Sequence, residues 1–95
     1  MDRDVRVYGA DSCMDTLRTR EHLQDLGIQH RYISVEEDSL ADHRVRDWNG
    51  GKLRTPTVLL QGSKGDEQLI TPTDAELDAA LTRQGFMPAQ RTSRT

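Results

Sequence analysis

The sequence predicts an α/β domain in which a four-stranded mixed β-sheet is flanked by three α-helices, in the order β-α-β-α-β-β-α. Three observations favour this fold class. Short runs of strand-forming residues alternate with stretches that carry helix start and stop signals. The last two strand-like runs are separated by a short polar segment with glycines, which is typical of an antiparallel hairpin. The chain has 95 residues, which is room for one small domain.

The first strand and the first helix are predicted over residues 5–8 and 13–26. Gly27 is expected to follow the helix as its C′ residue. Ser12 and Asp15 have the spacing of a capping box, which predicts Ser12 as the N-cap and the next residue as the first helical one. The predicted apolar stripe of this helix consists of Met14, Leu17, Leu23 and Leu26.

The second strand and the second helix are predicted over residues 31–35 and 39–48. The acidic residues at 36–38 are expected to form a solvated turn that leads into this helix, and the segment 49–52 ends it. A helix between two strands of one sheet implies a right-handed parallel crossover. The apolar face of the second helix consists of Ala41, Val45 and Trp48.

The remaining elements are a hairpin and a third helix. The hairpin is predicted from strands over 57–60 and 67–70 that are joined by the connection 62–66. The third helix opens with a capping box at 73–76 and stops at Gly85. Its predicted buried face consists of Leu77, Ala80 and Leu81.

Composition limits the possible classes of function. Residues 1–87 are expected to form the domain and residues 88–95 a polar, disordered tail. With 13 basic against 16 acidic residues and a pI near 5.5, the chain lacks the cationic surplus of a nucleic-acid binder. Its longest apolar run, 58–60, is too short for a membrane span, and its charged amino terminus lacks the apolar core of a secretory signal. We therefore expect a cytoplasmic protein.

Cysteine and histidine usage limits the covalent and metal chemistry. The single cysteine excludes an intramolecular disulfide and an all-cysteine metal site within a single chain. The three histidines, His22, His30 and His43, share no ligand spacing, so we expect no metal site.

Cys13 is the first candidate for chemistry because it lies at the predicted start of a helix. Unpaired backbone N–H groups and the helix dipole stabilise an anion there, and the thiolate is the reactive form of cysteine. The neighbouring carboxylates of Asp11 and Asp15 oppose ionisation, so a modest net lowering of the thiol pKa is expected. The position alone also fits an inert, buried cysteine that acts as a small apolar residue.

Thr55 and Pro56 directly precede the third predicted strand. Proline cannot donate a backbone hydrogen bond, so its place at a strand entry demands an explanation. Most X–Pro bonds are trans, but a helix-start cysteine two elements upstream favours a cis bond here. The adjacent Arg54 either supplies positive charge near a thiolate or is simply solvated.

Three segments of the sequence carry a resemblance to a known family. They read YGADSCMDT at 8–16, NGGKLRTPTV at 49–58 and TPTDAE at 71–76. Together they resemble the glutaredoxins, most closely the mycoredoxin-like and other small actinobacterial-type members. The similarity runs over about residues 5–86, nearly the whole chain.

The resemblance implies a thioredoxin-like fold and assigns roles to individual residues. Cys13 corresponds to the nucleophile and Pro56 to the cis-proline that faces it. The backbone of Thr55 is then expected to pair with a bound disulfide or thiol peptide as an added strand.

The chain departs from the family's motifs at three places, one of which is Arg-Thr-Pro at 54–56, where the family prefers Thr-Val-Pro. The usual C-P-Y-C or C-G-F-S motif is replaced by C-M-D-T at 13–16, so that Thr16 stands in place of a resolving cysteine. The Thr16 hydroxyl either donates to the Cys13 thiolate or bonds an upstream backbone carbonyl. The Gly-Gly pair that usually lies near a glutathione site is replaced by Thr-Pro at 71–72.

The predicted start of the third helix is a candidate site for a small thiol. Free backbone N–H groups at Thr73 suit a carboxylate, and the carboxylate of Asp74 suits an ammonium group. A simpler interpretation is that Asp74 only stabilises the helix terminus.

These observations predict a monothiol, glutaredoxin-like thiol–disulfide oxidoreductase. The Cys13 thiolate would attack mixed disulfides on protein substrates, with resolution by an external low-molecular-weight thiol, either glutathione or a mycothiol-like compound. We expect a monomer with no tightly bound cofactor. Two alternatives stay open: a non-catalytic binding module on the thioredoxin fold, and an iron–sulfur cluster carrier that holds the cluster between two subunits.

Overall fold

Seven elements follow one another in the order that the sequence predicts. The computed structural model describes residues 3–87. The elements are β1 (Asp4–Gly9), α1 (Met14–Asp25), β2 (Arg31–Ser34), α2 (Ser39–Trp48), β3 (Thr57–Gly62), β4 (Gly65–Ile70) and α3 (Asp74–Arg83). The predicted fold class and element order are confirmed, whereas the predicted tail at 88–95 lies outside the described residues.

The four strands form one mixed sheet in the spatial order β2-β1-β3-β4. β1 runs parallel to β2 and antiparallel to β3, so that Val7 pairs with Tyr32 on one side and with Val58 on the other. β3 and β4 pair up to Gly62 and Gly65, which makes the hairpin connection shorter than predicted. The φ angle of +97° at Gly65 explains this tight turn, because glycine adopts positive φ without steric cost.

Two hydrophobic clusters cover the two faces of the sheet, because successive side chains of a strand point to opposite faces. The α1/α3 cluster contains Val5, Val7, Leu23, Val58, Leu60, Leu77, Ala80 and Leu81. The α2 cluster, on the other face, contains Tyr8, Ala10, Val35, Ala41, Val45 and Leu59. Trp48 is partly buried, packs against the α2 cluster and meets Tyr8 edge-on, with ring centroids 5.3 Å apart, so its predicted place on the apolar face of α2 is confirmed.

The predicted apolar stripe of α1 is largely wrong. Met14 is 75% exposed, and Leu17 and Leu26 also lie at the surface. The buried residues of α1 are Thr16, Thr19 and Leu23. The physical reason is the close approach of α1 to β1, since a Cβ atom on Gly9 would lie only 2.5 Å from Thr16 Cγ2. The face of α1 that meets β1 at this point therefore has no room for a side chain larger than that of Thr16.

The amino terminus of α1 also differs from the prediction. Cys13, with extended backbone angles of φ −97° and ψ 117°, is the N-cap residue, and its carbonyl accepts the N–H of Leu17 at 3.2 Å. Ser12, the predicted N-cap, instead donates its hydroxyl proton to Glu36 Oε2 at 3.0 Å. A carboxylate from a distant part of the chain thus competes successfully with the local capping bond.

The other helix ends follow the local signals in the sequence. Gly27 ends α1 with a φ angle of +73°, and Ile28 N–H bonds the Leu23 carbonyl at 3.0 Å, as in a Schellman motif. Thr73 is the N-cap of α3 and forms the predicted capping box with Glu76. These ends are correct in the prediction because each depends on residues close together in the chain.

Thr19 provides a test of how α1 packs. Its Oγ1 is buried without a hydrogen-bond partner, and a buried unpaired hydroxyl costs stability. We expect Thr19→Val to raise the free energy of unfolding by about 1 kcal/mol in urea denaturation. Thr16→Val is the matched control and should lower it, because the buried Ala10 N–H loses its acceptor. Destabilisation by Thr19→Val would contradict the packing described above.

Candidate active site at Cys13

Cys13 lies in the turn between the end of β1 and the start of α1. Its N–H donates to the Ala10 carbonyl at 3.0 Å. Its side chain is half-buried and packs against the α2 cluster. The backbone of Cys13 is therefore held by hydrogen bonds of both its N–H and its carbonyl group, while the side chain stays partly accessible to a reactant.

The Thr16 hydroxyl links the end of β1 to the cysteine. Thr16 is fully buried, and its Oγ1 accepts the N–H of Ala10 at 3.3 Å. Because the oxygen accepts this bond, the hydroxyl proton is available to the sulfur of Cys13, with which it interacts. The upstream backbone contact of Thr16 is therefore to an N–H group and not to the carbonyl that the sequence offered as one of its two possible partners.

These surroundings lower the pKa of the Cys13 thiol. Burial raises this pKa, but hydrogen bonds from the side chains of Thr16 and Thr55 and from the backbone N–H groups of Thr16 and Asp15 outweigh burial. The two N–H groups belong to the first turn of α1, where backbone donors have no partner within the helix. The result favours the thiolate over the thiol.

The second wall of the site is the segment before β3. The Thr55–Pro56 peptide bond is cis, and Pro56 is buried. The Cys13 thiol donates to the Thr55 carbonyl oxygen, with Sγ and O 3.5 Å apart. The Pro56 carbonyl accepts the N–H of Thr71 at 2.8 Å, so this segment is tied to the loop before α3.

Arg54 directly precedes this wall in the chain. Its side chain is exposed, and within residues 3–87 its guanidinium has no hydrogen bond or ion pair. Its carbonyl accepts the hydroxyl proton of Thr57 at 2.8 Å. The structure therefore does not bring the Arg54 charge into contact with Cys13.

The two carboxylates nearest to Cys13 in sequence have partners of their own. Asp11 Oδ1 accepts the hydroxyl proton of Tyr32 at 2.7 Å. Asp15 Oδ1 lies 3.6 Å from Nη2 of Arg18. Their expected opposition to thiolate formation is thus offset by groups on β2 and α1.

The start of α3 lies beside α1, where the predicted small-thiol site would be. Thr73 and Glu76 use their side chains in the capping box. Asp74 Oδ1 pairs with Nη1 of Arg18 at 2.6 Å, and Nη2 of Arg18 donates to the Pro72 carbonyl at 3.3 Å. Arg18 thereby joins α1 to the start of α3.

No local pattern in the sequence points to Arg18 or Tyr32 as part of this site. Arg18 meets Asp74, which is 56 positions away, and Tyr32 meets Asp11, which is 21 positions away. The only local signal is the i,i+3 spacing of Asp15 and Arg18. Both contacts depend on how the elements are arranged in space.

Metal and membrane features are absent from the part of the chain that the structure describes. Residues 3–87 contain no group of three or more His, Cys, Asp or Glu side chains placed to hold a metal ion. Over the same residues, no helix has both the length and the apolar character that crossing a bilayer requires. A groove of about 630 Å³ lies at the other end of β1, between residues such as Arg3, Gln24, His30 and Phe86, and includes none of the site residues.

Comparison with known proteins identifies the fold. No protein-family model and no curated protein matches the chain. Among solved structures, the chain is similar to Fasciola hepatica thioredoxin, with 12% identity, coverage of 86% of this chain and 80% of that chain, and a TM-score of 0.66. It is also similar to Brucella melitensis glutaredoxin, with 19% identity, the same coverage of 86% and 80%, and a TM-score of 0.52.

A third similar structure is a larger enzyme. Maleylacetoacetate isomerase from Anaeromyxobacter dehalogenans, solved with dicarboxyethyl glutathione and citrate in its active site, is 17% identical over 98% of this chain, with a TM-score of 0.59. The chain spans only 42% of that protein. Together with the observed sheet order, these likenesses show that the chain has a thioredoxin-like fold.

Proposed function

We propose that this protein is a monothiol, glutaredoxin-like thiol–disulfide oxidoreductase with Cys13 as its nucleophile. The observation that carries the proposal is the place of the half-buried Cys13 at the N-cap of α1, with its sulfur 3.5 Å from the Thr55 carbonyl oxygen and a lowered thiol pKa. The thiolate is the attacking form in disulfide exchange, so a lowered pKa raises the reactive fraction near neutral pH. The thioredoxin and glutaredoxin structures that share the fold support this class of chemistry.

The proposed cycle needs one protein sulfur and two molecules of a small thiol. The Cys13 thiolate attacks the small-thiol sulfur of a mixed disulfide; the disulfide bond breaks, and the substrate protein leaves as a thiolate that takes up a proton. A second small thiol, as its thiolate, attacks the small-thiol sulfur now bound to Cys13. The two small thiols leave as a disulfide and the Cys13 thiolate is restored. Since the chain has one cysteine, resolution by a second cysteine of the same chain is excluded.

Thr16 and Thr55 have separate roles in this proposal. Thr16 donates its hydroxyl proton to the thiolate and stands in place of a resolving cysteine. Thr55 accepts from the Cys13 thiol, and this carbonyl becomes free when the thiol ionises. The backbone of Thr55 beside Pro56 would then pair with the substrate peptide as an added strand. Arg54, exposed at the edge of the site, would add positive charge for an anionic substrate.

We further propose that the small thiol docks at the start of α3. The Asp74 side chain is 45% exposed, so an ammonium group can approach it even though Arg18 pairs with Oδ1 and His22 Nδ1 lies 3.7 Å from Oδ2. The Thr73 N–H and the Glu76 N–H already bond within the capping box, so a carboxylate would be received by the remaining N–H groups in the first turn of α3. The glutathione compound bound to the isomerase of the same fold supports glutathione or a mycothiol-like thiol as co-substrate. A monomer in the cytosol, where small thiols keep proteins reduced, suits this cycle.

Replacing the nucleophile tests the proposal directly. Cys13→Ser is expected to abolish catalysed reduction of a glutathionylated peptide by glutathione and to leave only the rate of glutathione alone, because serine cannot form the mixed disulfide. The decrease in glutathionylated peptide is followed by mass spectrometry, and circular dichroism checks that the variant is folded. A variant as fast as the wild type would refute the proposed nucleophile.

The role of Thr16 is tested by the pH dependence of Cys13 alkylation with iodoacetamide. A free thiol ionises at about pH 8.5, and a lowered pKa places the alkylation midpoint of Cys13 below that value. Loss of a hydrogen-bond donor to the thiolate raises the midpoint. Thr16→Val is therefore expected to raise the midpoint by about 1 pH unit. The control Thr19→Val makes the same change one turn further along α1, at a hydroxyl without a partner, and should leave the midpoint unchanged.

A third variant, Thr16→Ser, keeps a hydroxyl and should stay close to the wild-type midpoint. Equal midpoints for the wild type and Thr16→Val would show that the hydroxyl does not stabilise the thiolate. A wild-type midpoint at the free-thiol value would favour a non-catalytic binding module on this fold.

The small-thiol site is tested with glutathione as the varied substrate. Asp74→Asn removes the charge that an ammonium group would contact and is expected to raise the KM for glutathione about tenfold, since a charged hydrogen bond contributes roughly 1.5–3 kcal/mol. Asp78→Asn is the matched control: Asp78 lies one turn further along α3 and also contacts α1, through His22 at 2.7 Å. Equal KM values for the two variants and the wild type would contradict docking at Asp74.

A further inference from the structure

We propose that Tyr32 is a positioning residue for the site, because its hydroxyl holds the Asp11 carboxylate away from the Cys13 sulfur. This inference rests on the proposed function of Cys13 as a nucleophile. Asp11 precedes Cys13 by two residues, so its carboxylate is close enough in the chain to oppose a thiolate through space. A group that fixes the direction of this carboxylate therefore affects how easily the thiolate forms.

The partner of the Asp11 carboxylate and the Cys13 side chain pack on different faces of the sheet. Tyr32 belongs to β2 and packs against the α1/α3 cluster, and its hydroxyl donates to Asp11 Oδ1 at 2.7 Å. Cys13 packs against the α2 cluster, on the other face of the sheet. The bond from Tyr32 thus directs Asp11 toward the face that the sulfur does not occupy.

The Tyr32 hydroxyl remains a donor throughout the pH range in which a thiol ionises. Burial raises the pKa of Tyr32 to about 12, and the hydrogen bond and negative charge of Asp11 act in the same direction. The hydroxyl is therefore protonated when the Cys13 thiol loses its proton. Asp11 keeps its partner in both states of the cysteine.

The Tyr32 ring is held independently of its hydroxyl. The guanidinium carbon of Arg20 lies 3.9 Å from the ring centroid, and the ring packs against the α1/α3 cluster. Phenylalanine at this position keeps both contacts. Tyr32→Phe therefore keeps the ring in place and removes the hydroxyl, with its bond to Asp11 and its contact with the Ser34 side chain.

The other carboxylates around the turn have partners of their own. Asp15 lies 3.6 Å from the Arg18 guanidinium, and Glu36 accepts the Ser12 hydroxyl proton at 3.0 Å. Arg54 is exposed. Asp11 is therefore the carboxylate near Cys13 whose direction depends on Tyr32.

The test is a double-mutant cycle read by the iodoacetamide alkylation midpoint of Cys13. The four proteins are the wild type, Tyr32→Phe, Asp11→Asn and the double variant. Tyr32→Phe is expected to raise the midpoint by a few tenths of a pH unit, because the released carboxylate turns toward the sulfur. In the Asp11→Asn background the same change should have no effect, and 1 M salt should reduce the shift seen in the single variant.

Two results would overturn the inference. An unchanged midpoint in Tyr32→Phe would show that the hydroxyl does not position Asp11 relative to the sulfur. An equal rise with and without the Asp11 charge would show that Tyr32 acts through packing alone. Thermal unfolding of all four proteins verifies that they are folded.

The double-mutant cycle tests the positioning role of Tyr32 separately from the proposed function. The alkylation midpoint reports the Cys13 ionisation whether or not the protein reduces mixed disulfides. Inactivity of the wild type toward glutathionylated peptide would refute the oxidoreductase proposal and leave the Tyr32 result standing. An active enzyme whose midpoint is unaffected by Tyr32→Phe would refute only the positioning role.

Discussion

The packing of Thr16 on Gly9 is the contact on which the candidate site depends. A side chain at position 9 would collide with Thr16, so the glycine lets α1 begin directly against the end of β1. Thr16 then reaches the Ala10 N–H with its hydroxyl oxygen. This one residue closes the turn that carries Cys13 and provides a donor for its sulfur. The same close approach explains why α1 buries threonines where an ordinary amphipathic helix buries leucines.

The parts of the fold that the sequence predicts well are those decided by neighbouring residues. The capping box at Thr73 and the glycine after α1 involve groups within a few positions of one another, so the pattern contains the interaction. The buried face of α1 is predicted poorly because it depends on a distance between two elements. Ser12 fails as N-cap for a similar reason, since its hydroxyl bonds Glu36, 24 positions away.

The candidate site divides in the same way. Cys13 and Pro56 are recognisable from their places at a helix start and a strand entry, and a resemblance to a family adds their roles. The sequence does not identify Arg18 and Tyr32 as site residues, because they act by bonding Asp74 and Asp11. These carboxylates are distant in the chain, and the fold brings them into contact. A sequence pattern can therefore name the reacting group of this site before it can name the residues that position it.

The charges near Cys13 show why this distinction matters for chemistry. The sequence places two carboxylates within two residues of Cys13, and their negative charge is expected to disfavour the thiolate. In the structure Asp11 is held by a tyrosine hydroxyl and Asp15 lies close to an arginine. No guanidinium or ammonium group within residues 3–87 forms a hydrogen bond to the sulfur; the donors around it are hydroxyls and backbone N–H groups. Thiolate formation in this protein therefore depends on short-range hydrogen bonds in a fixed turn, together with acidic neighbours that are kept occupied elsewhere.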